Sequence, residues 1–579
     1  GMSLSPLLLA ALVAAEPEKP FAITVVDSQT GRGVPLIELR TVHNVRLVTD
    51  SNGVVAFREP GLMNETAFFY VSGHGYEFPK DGFGFRGKRL QITPGGSATL
   101  KVDRVNIAER LYRVTGAGIY RDSVLVGAKV PITEPVLNAR VLGQDSVQTA
   151  VYRGKVHWFW GDTLRPEYPL ANFHMAGATS ELPGRGGLDP ASGVDLTYFA
   201  DAKGTVRNVA EMPGKGPTWL ESPVVLPDRD GRERLYAAFN KIEPPLRVYA
   251  RGLAVWDDEK NRFEKLRDID LKAPAFPRGH AFRYTDGGRE YVYFAHPYPM
   301  TRVPATAAAF TDPEQYECFT CLKEGSRLDA PELDRDPAGR LRFAWRKNTP
   351  AIGPAEQAKL VSAGKMKASE SPFHLCDRDT GKPIFAHAGS VYWNEYRKRW
   401  VMIFVEQYGK PSMLGEVWYA EADEPTGPWR FAVKVVTHDR MSFYNPKQHP
   451  MFDQDGGRLI YFEGTYTHDF SGNPETTPRY EYNQVMYRLD LGDRRLALPR
   501  PVPEADFLAL DRAVPGAVPL PGRSGFFILP DDKTAPAATV PLYEFTKGGD
   551  THHATNEKLD GHQRREKPIG RVWPAMPGG

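Results

Sequence analysis

Residues 143–163 read GQDSVQTAVYRGKVHWFWGDT. Residues 147–152 and 155–160 are rich in β-branched and aromatic side chains, and Arg153-Gly154 separates them. This pattern is typical of a β-hairpin with a tight turn. In an antiparallel hairpin the start of the first strand lies beside the end of the second. We therefore expect Asp145 and Asp162 to lie at the same end of the hairpin, within reach of one pocket.

The same hairpin unit recurs four more times along the chain. Each copy opens near a polar residue, turns through Asp, Asn or Gly, and returns in an apolar, aromatic-rich strand. The copies cover residues 219–240, 278–296, 387–406 and 444–463. Radial repetition of a small sheet is the arrangement by which β-propellers protect their sheet edges. We therefore predict a five-bladed β-propeller in which each hairpin forms the inner half of a blade.

The composition fits an all-β, turn-rich protein and excludes some partners. The 579 residues include 54 Gly and 50 Pro, and 11 % of the residues are aromatic. The 73 basic and 71 acidic residues nearly cancel, which argues against a nucleic-acid partner bound through net charge. Beyond the N-terminus no run of 18 apolar residues occurs, so we expect no membrane span. We expect a monomer.

The N-terminus carries a short apolar run, residues 7–15, before Glu16. The run is too short to span a bilayer and ends in small residues, as signal peptides do. Gly1 before Met2 resembles a tag remnant. We therefore assign residues 1–18 to a signal peptide with this remnant, and we predict a secreted or periplasmic protein.

The remaining chain divides into four predicted parts. Residues 19–103 contain short strands between turn signals, which favours a small β-sandwich in front of the propeller. The motifs DSQTGRGVP at 27–35 and TDSNGVVAF at 49–57 resemble the carboxypeptidase-regulatory-like sandwich. The other three parts are a connector at 104–139, the propeller at 140–500 and a β-rich tail at 501–579. The tail is either a carbohydrate-binding element or a segment packed on the propeller.

The hairpins predict two rings of polar side chains around the propeller axis. The first ring, at the starts of the inner strands, comprises Asp145, Glu221, His280, His387 and His449. The second ring, at the ends of the paired strands, comprises Asp162, Asn240, His296, Glu406 and Glu463. All five first-ring residues are ionisable, whereas a filled core would carry apolar side chains. These residues either satisfy backbone groups at a narrow channel or form a functional site.

Two of these carboxyl groups suit glycoside cleavage. That reaction needs one carboxyl group kept protonated as the acid and another ionised as the base or nucleophile. Asp145 and Glu221 come from adjacent predicted blades, so both would reach one pocket. The negative charge of Asp162 would raise the pKa of a neighbouring carboxyl group, and we assign this effect to Glu221.

The same residues carry a resemblance to known enzymes. The five hairpins, WLESP at 219–223 and VWYAEADEPTGPW at 417–429 resemble the five-bladed propeller glycosidases of the arabinanase/β-xylosidase kind. Residues 143–145 and 160–163 also resemble the related endo-D-arabinanase-like propeller class. The resemblance implies that Asp145 is the base or nucleophile and Glu221 the general acid. The arabinanase pattern has a further Asp at a blade start, where this chain has histidines, and Asp162 would substitute for it.

Further candidates are expected to bind the carbohydrate substrate. Trp219 would stack on a sugar face, and the others would bind or orient hydroxyl groups: Arg278, His280, His387, Glu406, Tyr444, Asn445, His449 and Glu463. We predict no cofactor and no protein metal site. Two alternatives stay open: a metal ion held by the three histidines, and a central calcium or other divalent ion in the axial channel. We rank structural or hydration roles of these residues above both. The C-x-x-C pair of Cys318 and Cys321 lacks a second ligand pair, which favours a local disulfide or two free thiols.

The predicted function is a secreted glycoside hydrolase that acts on a polysaccharide or oligosaccharide through paired carboxyl groups. Two alternatives remain open. The first is a propeller that binds a glycan without cleaving it. The second is a polysaccharide lyase that uses His and Tyr as base and acid, with Arg278 neutralising the carboxylate of a uronate.

Overall fold

The computed structural model describes residues 16–503 and 517–574, and the predicted leader run lies outside these ranges. The described chain forms two compact units. The first comprises the chain up to Ser72, Glu77–Asp103 and Tyr120–Val130. The second comprises Gly73–Tyr76, Arg104–Ile119 and the chain from Pro131 onward. None of the helices in the described residues has the length and apolar character needed to cross a bilayer.

The first unit is built on short strands whose side chains alternate between core and solvent. The elements are β1 Phe21–Asp27, β2 Ile37–Thr41, β3 Arg46–Val48, β4 Val54–Phe57, β5 Thr66–Gly73, β6 Tyr76–Glu77, β7 Gly87–Gln91, β8 Ser97–Arg104 and the helix α1 Arg121–Leu125. In strands β1 and β2 every second residue is buried, as expected for a sheet with one face on a core. The strands join in the order β3-β2-β5-β6-β8-β1-β4, with β7 paired to β5.

Five mainly antiparallel sheets make up the blades of the second unit. Blade 1 is β11 Gln148–Tyr152, β12 Lys155–Trp160, β15 Ala176–Glu181 and β16 Thr197–Tyr198. Blade 2 is β17 Thr218–Pro227, β18 Glu233–Glu243, β19 Arg247–Asp257 and β20 Arg262–Ile269. Blade 3 is β21 His280–Asp286, β22 Arg289–Ala295, β23 Pro299–Pro304, β24 Glu317–Thr320 and β25 Ala344–Arg346. Blade 4 is β27 Phe385–Asn394, β28 Arg399–Gln407, β29 Val417–Ala422, β30 Phe431–Val436 and the outer β26 Cys376–Asp377. Blade 5 is β31 Ser442–Gln448, β32 Leu459–Thr467, β33 Asn483–Asp490 and β9 Glu109–Arg113.

A buried apolar cluster lies between each pair of neighbouring blades, and together the clusters close a ring. Each cluster contains side chains from both blades. Going around the ring, these are Phe159 and Trp256 between blades 1 and 2, Leu253 and Phe294 between blades 2 and 3, Phe282 and Trp400 between blades 3 and 4, Ala388 and Tyr444 between blades 4 and 5, and Tyr461 and Trp158 between blades 5 and 1. Burial of these large side chains is the main stabilising contribution of the ring. The predicted fold class, an all-β propeller preceded by a small β domain, is confirmed.

The ring is closed by a strand that precedes the first blade in sequence. Strand β9 pairs antiparallel with β33, with Tyr112 opposite Met486, and so supplies the outer strand of blade 5. Leu111 in β9 is fully buried in the cluster between blades 5 and 1. The guanidinium of Arg110 donates to the hydroxyl of Tyr487 at 3.0 Å and to the carbonyl of His74 at 2.6 Å. Part of the predicted connector is therefore a structural strand of the propeller.

The remaining strands form smaller sheets beside the blades. They are β10 Gly143–Gln144, β13 Thr163–Arg165, β14 Tyr168–Asn172, β34 Arg500–Pro503, β35 Val518–Pro519, β36 Gly525–Ile528, β37 Val540–Lys547, β38 Asp550–Ala554, β39 Gln563–Arg564 and β40 Gly570–Val572. The remaining α-helices are α2 Ala307–Phe310 and α3 Pro354–Ser362, and short 3₁₀ turns occupy Asn138–Arg140, Pro313–Gln315, Ala368–Glu370, Pro450–Phe452, Asp455–Gly457 and Arg494–Leu496. In the C-terminal segment, the ring of Trp573 stacks on Phe431 of blade 4 with centroids 5.1 Å apart. All three cysteines are free thiols.

Candidate functional site

Three inner strands carry the same backbone irregularity near their start. Ser146, Ser222 and Asn445 adopt φ values of 54°, 55° and 50°, which is the left-handed region that non-glycine residues rarely occupy. In blades 2 and 5 the strand register shifts at this place, as in a β-bulge that redirects a side chain. Blade 3 has Gly279 with φ 101° before β21. In each of these four blades, the residue just before the left-handed one therefore has the same position relative to the inner strand.

Those preceding residues define one end of the ring, which we call the mouth. They are Asp145 in blade 1, Glu221 in blade 2, Arg278 in blade 3 and Tyr444 in blade 5, and Asp162 joins them because it follows β12 beside Asp145. The five hairpin turns lie at the opposite end of the blades. The mouth therefore gathers three carboxyl groups, one guanidinium and one phenol from four blades.

Asp145 is held by hydrogen bonds from two tyrosines. The hydroxyl of Tyr444 lies 3.0 Å from Oδ2 of Asp145, and the side chain of Tyr482 also hydrogen-bonds this carboxyl group. Gly161 is required beside it, because a Cβ there would clash with Oδ1 of Asp145. Burial raises the pKa of Asp145 to about 6, while the hydrogen bonds from Tyr482 and Tyr444 act in the opposite direction. Both phenols favour the ionised carboxylate.

Asp162 is coupled to Asp145 through charge. Burial, and then the negative charge of Asp145, raises the pKa of Asp162 to about 7. Within the described residues, Oδ1 of Asp162 is buried without a hydrogen-bond partner. Near neutral pH the two carboxyl groups therefore share about one proton, and the phenols leave Asp145 as the charged member.

Glu221 has a different environment from the two aspartates. It is half-buried in β17, and burial raises the pKa of its carboxyl group, while the charges of Arg278 and Arg251 oppose that shift. The expected like-charge effect of Asp162 on Glu221 is therefore replaced by one within blade 1, where the charge of Asp145 helps to raise the pKa of Asp162. Burial thus favours the protonated form of Glu221, and two guanidinium groups favour its ionised form.

Arg278 dominates the charge of the other side of the mouth. Its side chain is exposed, and its positive charge helps to lower the pKa values of His296 and His387, for which burial is the larger cause. Both imidazoles are therefore neutral at pH 7 and can accept or donate one hydrogen bond. The mouth thus has an acidic side in blade 1 and a cationic side in blade 3.

His449 and Glu463 lie deeper in the ring. His449 follows the C-terminal end of β31, toward the hairpin turn, and its Nε2 lies 2.7 Å from Oε1 of Glu463. Both side chains are fully buried. Tyr444, and not His449, occupies the position in blade 5 that matches Asp145. Burial lowers the pKa of His449, raises that of Glu463 to about 8 and lowers that of neighbouring Lys447 to about 7.

The other predicted residues are distributed between mouth and core. Asn445 lies at the mouth, where its Nδ2 donates to Oγ of Ser146 at 2.7 Å. Trp219 is half-buried two residues before Glu221. Glu406 accepts from the indole N–H of Trp418 at 2.9 Å and so lies within blade 4.

His280 opens β21 but is only 3 % exposed. The charges of Lys447 and His449 both act on its imidazole, which places it with the deeper group. A cavity of about 380 Å³ lies further along the inner strands, lined by side chains from all five blades, among them Val151, Val225, Phe282 and Tyr392. The axial region is therefore polar at the mouth and lined by both polar and apolar side chains toward the turns.

One group of potential metal ligands occurs in the described part of the chain. Its members are His468, Asp469 and Glu481. His280, His387 and His449 do not form such a group there, so the three predicted ring histidines do not converge on one ion.

Tyr482 is a site residue that the hairpin pattern misses. It lies in the loop between β32 and β33, outside every repeated unit, with φ 58°. The only sequence signal is the aromatic-rich run Tyr480-Glu481-Tyr482 just before a strand. That run also supplies Glu481, which orders the loop.

No protein-family model and no curated protein matches the chain. Solved structures do match it. An endo-arabinase from Bacteroides thetaiotaomicron is 13 % identical with a TM-score of 0.28, covering 60 % of this chain and 95 % of its own. An exo-1,5-alpha-L-arabinanase from a bovine ruminal metagenomic library is 11 % identical with a TM-score of 0.30, covering 61 % and 94 %. A GH43_1 enzyme from Xanthomonas citri complexed with xylotriose is 12 % identical with a TM-score of 0.30, covering 63 % and 88 %.

Proposed function

We propose that this protein is an exported glycoside hydrolase that cleaves a polysaccharide or oligosaccharide at the mouth of the propeller. The observation that carries the proposal is the matched placement of two carboxyl groups from adjacent blades. Asp145 and Glu221 each precede a left-handed serine, Ser146 and Ser222, yet their surroundings differ. Two carboxyl groups whose environments separate their protonation states are the arrangement that glycoside cleavage needs.

The environments assign the two roles. Asp145 receives hydrogen bonds from Tyr444 and Tyr482, which stabilise its ionised form, so it acts as the base or nucleophile. Burial favours the protonated form of Glu221, and we assign this residue as the general acid toward the leaving-group oxygen. Asp162 takes up the proton shared with Asp145 and so maintains the charge of that residue. Arg278, His387 and Asn445 bind hydroxyl groups, and Trp219 contacts a sugar face.

The test is the dependence of turnover on the leaving group. Glu221→Gln should lower turnover by about 10²–10⁴ on a natural oligosaccharide, because loss of a general acid has that effect. It should lower turnover much less on an activated aryl glycoside, whose leaving group needs little protonation. Asp145→Asn should lower turnover strongly on both substrates. Equal losses for Glu221→Gln on the two substrates would remove Glu221 from the acid role.

Asp162→Asn is the matched control for this assignment. It removes a carboxyl group from the same end of the propeller. If Asp162→Asn, and not Glu221→Gln, shows the dependence on the leaving group, the acid is Asp162. The substrate panel is linear arabinan, xylan, galactan, alginate and peptidoglycan oligosaccharides, which covers plant, algal and bacterial-wall glycans.

A second function is favoured by one feature of the mouth. Arg278 lies near the neutral imidazole of His387, and a guanidinium beside a neutral base would suit β-elimination on a uronate. The alginate arm of the panel separates the two functions. Products that absorb as unsaturated uronates would show that the protein is a lyase and not a hydrolase. Binding of a glycan without any product would show that the propeller binds glycans and does not cleave them.

A further inference from the structure

The loop between β32 and β33, residues 468–482, is held by one carboxylate. Glu481 accepts from the backbone N–H of His468 at 2.8 Å and from that of Thr477 at 3.4 Å. It also accepts from the hydroxyl of Thr467 and contacts the ring of His468. Hydrogen bonds from several points of one loop to one carboxylate fix the loop conformation. The loop is therefore an ordered part of blade 5.

This loop presents Phe470 in an unusual way. The backbone of Phe470 has φ 62°, a left-handed conformation that costs free energy for an aromatic residue. Its side chain is 63 % exposed, so little apolar burial offsets that cost. A strained backbone that holds an exposed aromatic ring is a feature that clusters at ligand sites.

Both ends of the loop connect Phe470 to Asp145. The ring of Phe470 meets the ring of Tyr444 edge to face, with centroids 5.8 Å apart, and the hydroxyl of Tyr444 lies 3.0 Å from Asp145. At the other end of the loop, Tyr482 hydrogen-bonds the same carboxyl group. Phe470 therefore lies one aromatic ring away from the carboxylate at the mouth.

We propose that Phe470 is a platform on which one sugar residue of an oligosaccharide stacks, next to the residue held at Asp145. The ligand class is a neutral pyranose or furanose residue, because its C–H face is apolar while its hydroxyl groups point outward. Amphipathic aromatic rings contribute binding area of this kind at low conformational cost. The inference rests on the proposed function for the reaction and adds a binding subsite outside the catalytic pair.

Phe470→Ala tests the subsite, with Tyr396→Ala as the matched control. Tyr396 is 46 % exposed and lies in the hairpin turn at the opposite end of blade 4. Phe470→Ala should lower kcat/KM about tenfold on the best oligosaccharide of the panel, the effect of truncating an anchoring aromatic. It should leave kcat/KM unchanged on the aryl glycoside of a single sugar, which does not reach the platform. Phe470→Trp should restore oligosaccharide turnover, and Tyr396→Ala should change neither substrate.

Equal losses on both substrates, or no loss on either, would overturn the platform. An unchanged melting temperature for Phe470→Ala should accompany the expected result, because the ring is exposed.

Failure of the platform and failure of the hydrolase are separated by calorimetry on Glu221→Gln, which binds without cleaving. If no glycan is hydrolysed but Phe470→Ala in that background weakens oligosaccharide binding about tenfold, the platform stands and the hydrolase falls. If the wild type hydrolyses a glycan and the same change leaves binding intact, the platform falls alone. If no glycan of the panel binds, both fall.

Discussion

The hydroxyl of Tyr444 lies 3.0 Å from Oδ2 of Asp145, although 299 residues separate them in the chain. Asp145 belongs to the first blade and Tyr444 to the last, so the contact exists because the ring closes. Asn445 and Ser146, the left-handed residues that follow them, also contact each other at 2.7 Å. The acidic side of the mouth therefore forms where blade 5 meets blade 1 and the ring of blades closes.

Tyr444→Phe should move the acid limb of the pH–rate profile to higher pH. The hydroxyl of Tyr444 favours the ionised form of Asp145, so its removal raises the pKa of Asp145, and the base is ionised over a narrower range. A hydrogen bond to a charged group contributes about 1.5–3 kcal/mol, which corresponds to about one pH unit or more. The measurement is kcat/KM on an aryl glycoside from pH 4 to pH 8. A profile that keeps its shape and only scales down would contradict the prediction.

Asp162→Asn should leave the same limb nearly in place. Burial and the charge of Asp145 raise the pKa of Asp162 to about 7, above that of Asp145, so Asp162 still carries its proton while Asp145 ionises. A neutral amide resembles that protonated carboxyl group, so the limb should move by much less than the shift of about one pH unit expected for Tyr444→Phe. The control is Asp453→Asn, which removes a carboxyl group whose pKa burial raises to about 7 and which lies at a hairpin turn. A limb that moves to lower pH by about one unit in Asp162→Asn, and not in Asp453→Asn, would show that Asp162 is charged while Asp145 ionises.

The two carboxyl groups could be found from the sequence, because a hairpin has a fixed geometry. Period-two strands around Arg153-Gly154 dictate that Asp145 and Asp162 share one end. The ionisable residue His449 suggests one alignment of the fifth blade, but what blades 1, 2, 3 and 5 share is a left-handed residue. The triplets Glu221-Ser222-Pro223 and Tyr444-Asn445-Pro446 carry that signal in their polar-Pro pairs, and it identifies Tyr444. Pairing of β9 with β33 has no local signal, since the two strands lie about 370 residues apart.

Leu111→Ala in the closing strand should lower the free energy of unfolding by about 2–5 kcal/mol. Leu111 is fully buried between blades 5 and 1, and removing such a side chain costs its transfer free energy and leaves a cavity. Because β9 closes the ring, the loss should appear in the unfolding of the propeller, followed by near-ultraviolet circular dichroism of its buried tryptophans. Val151→Ala is the control, since Val151 is 43 % exposed and its truncation should cost below about 0.5 kcal/mol. Similar losses for both variants would contradict a special role for the closing strand.

Glu463→Gln should make the protein more stable than the wild type, by much more at pH 8 than at pH 5. Burial raises the pKa of Glu463 to about 8, whereas an unfolded Glu titrates at about 4.3. Between these values the folded state keeps a proton that the unfolded state has lost, so this residue's contribution to stability falls as pH rises, by up to about 1.4 kcal/mol per pH unit. Glutamine resembles the neutral carboxyl group, still reaches His449 and removes that dependence. The comparison is urea unfolding of both proteins at pH 5, 6.5 and 8, with Glu463→Leu as the control that leaves His449 unpaired at every pH. A difference between Glu463→Gln and the wild type that stays constant with pH would mean that Glu463 is ionised in the folded protein, held by the charge of Lys447.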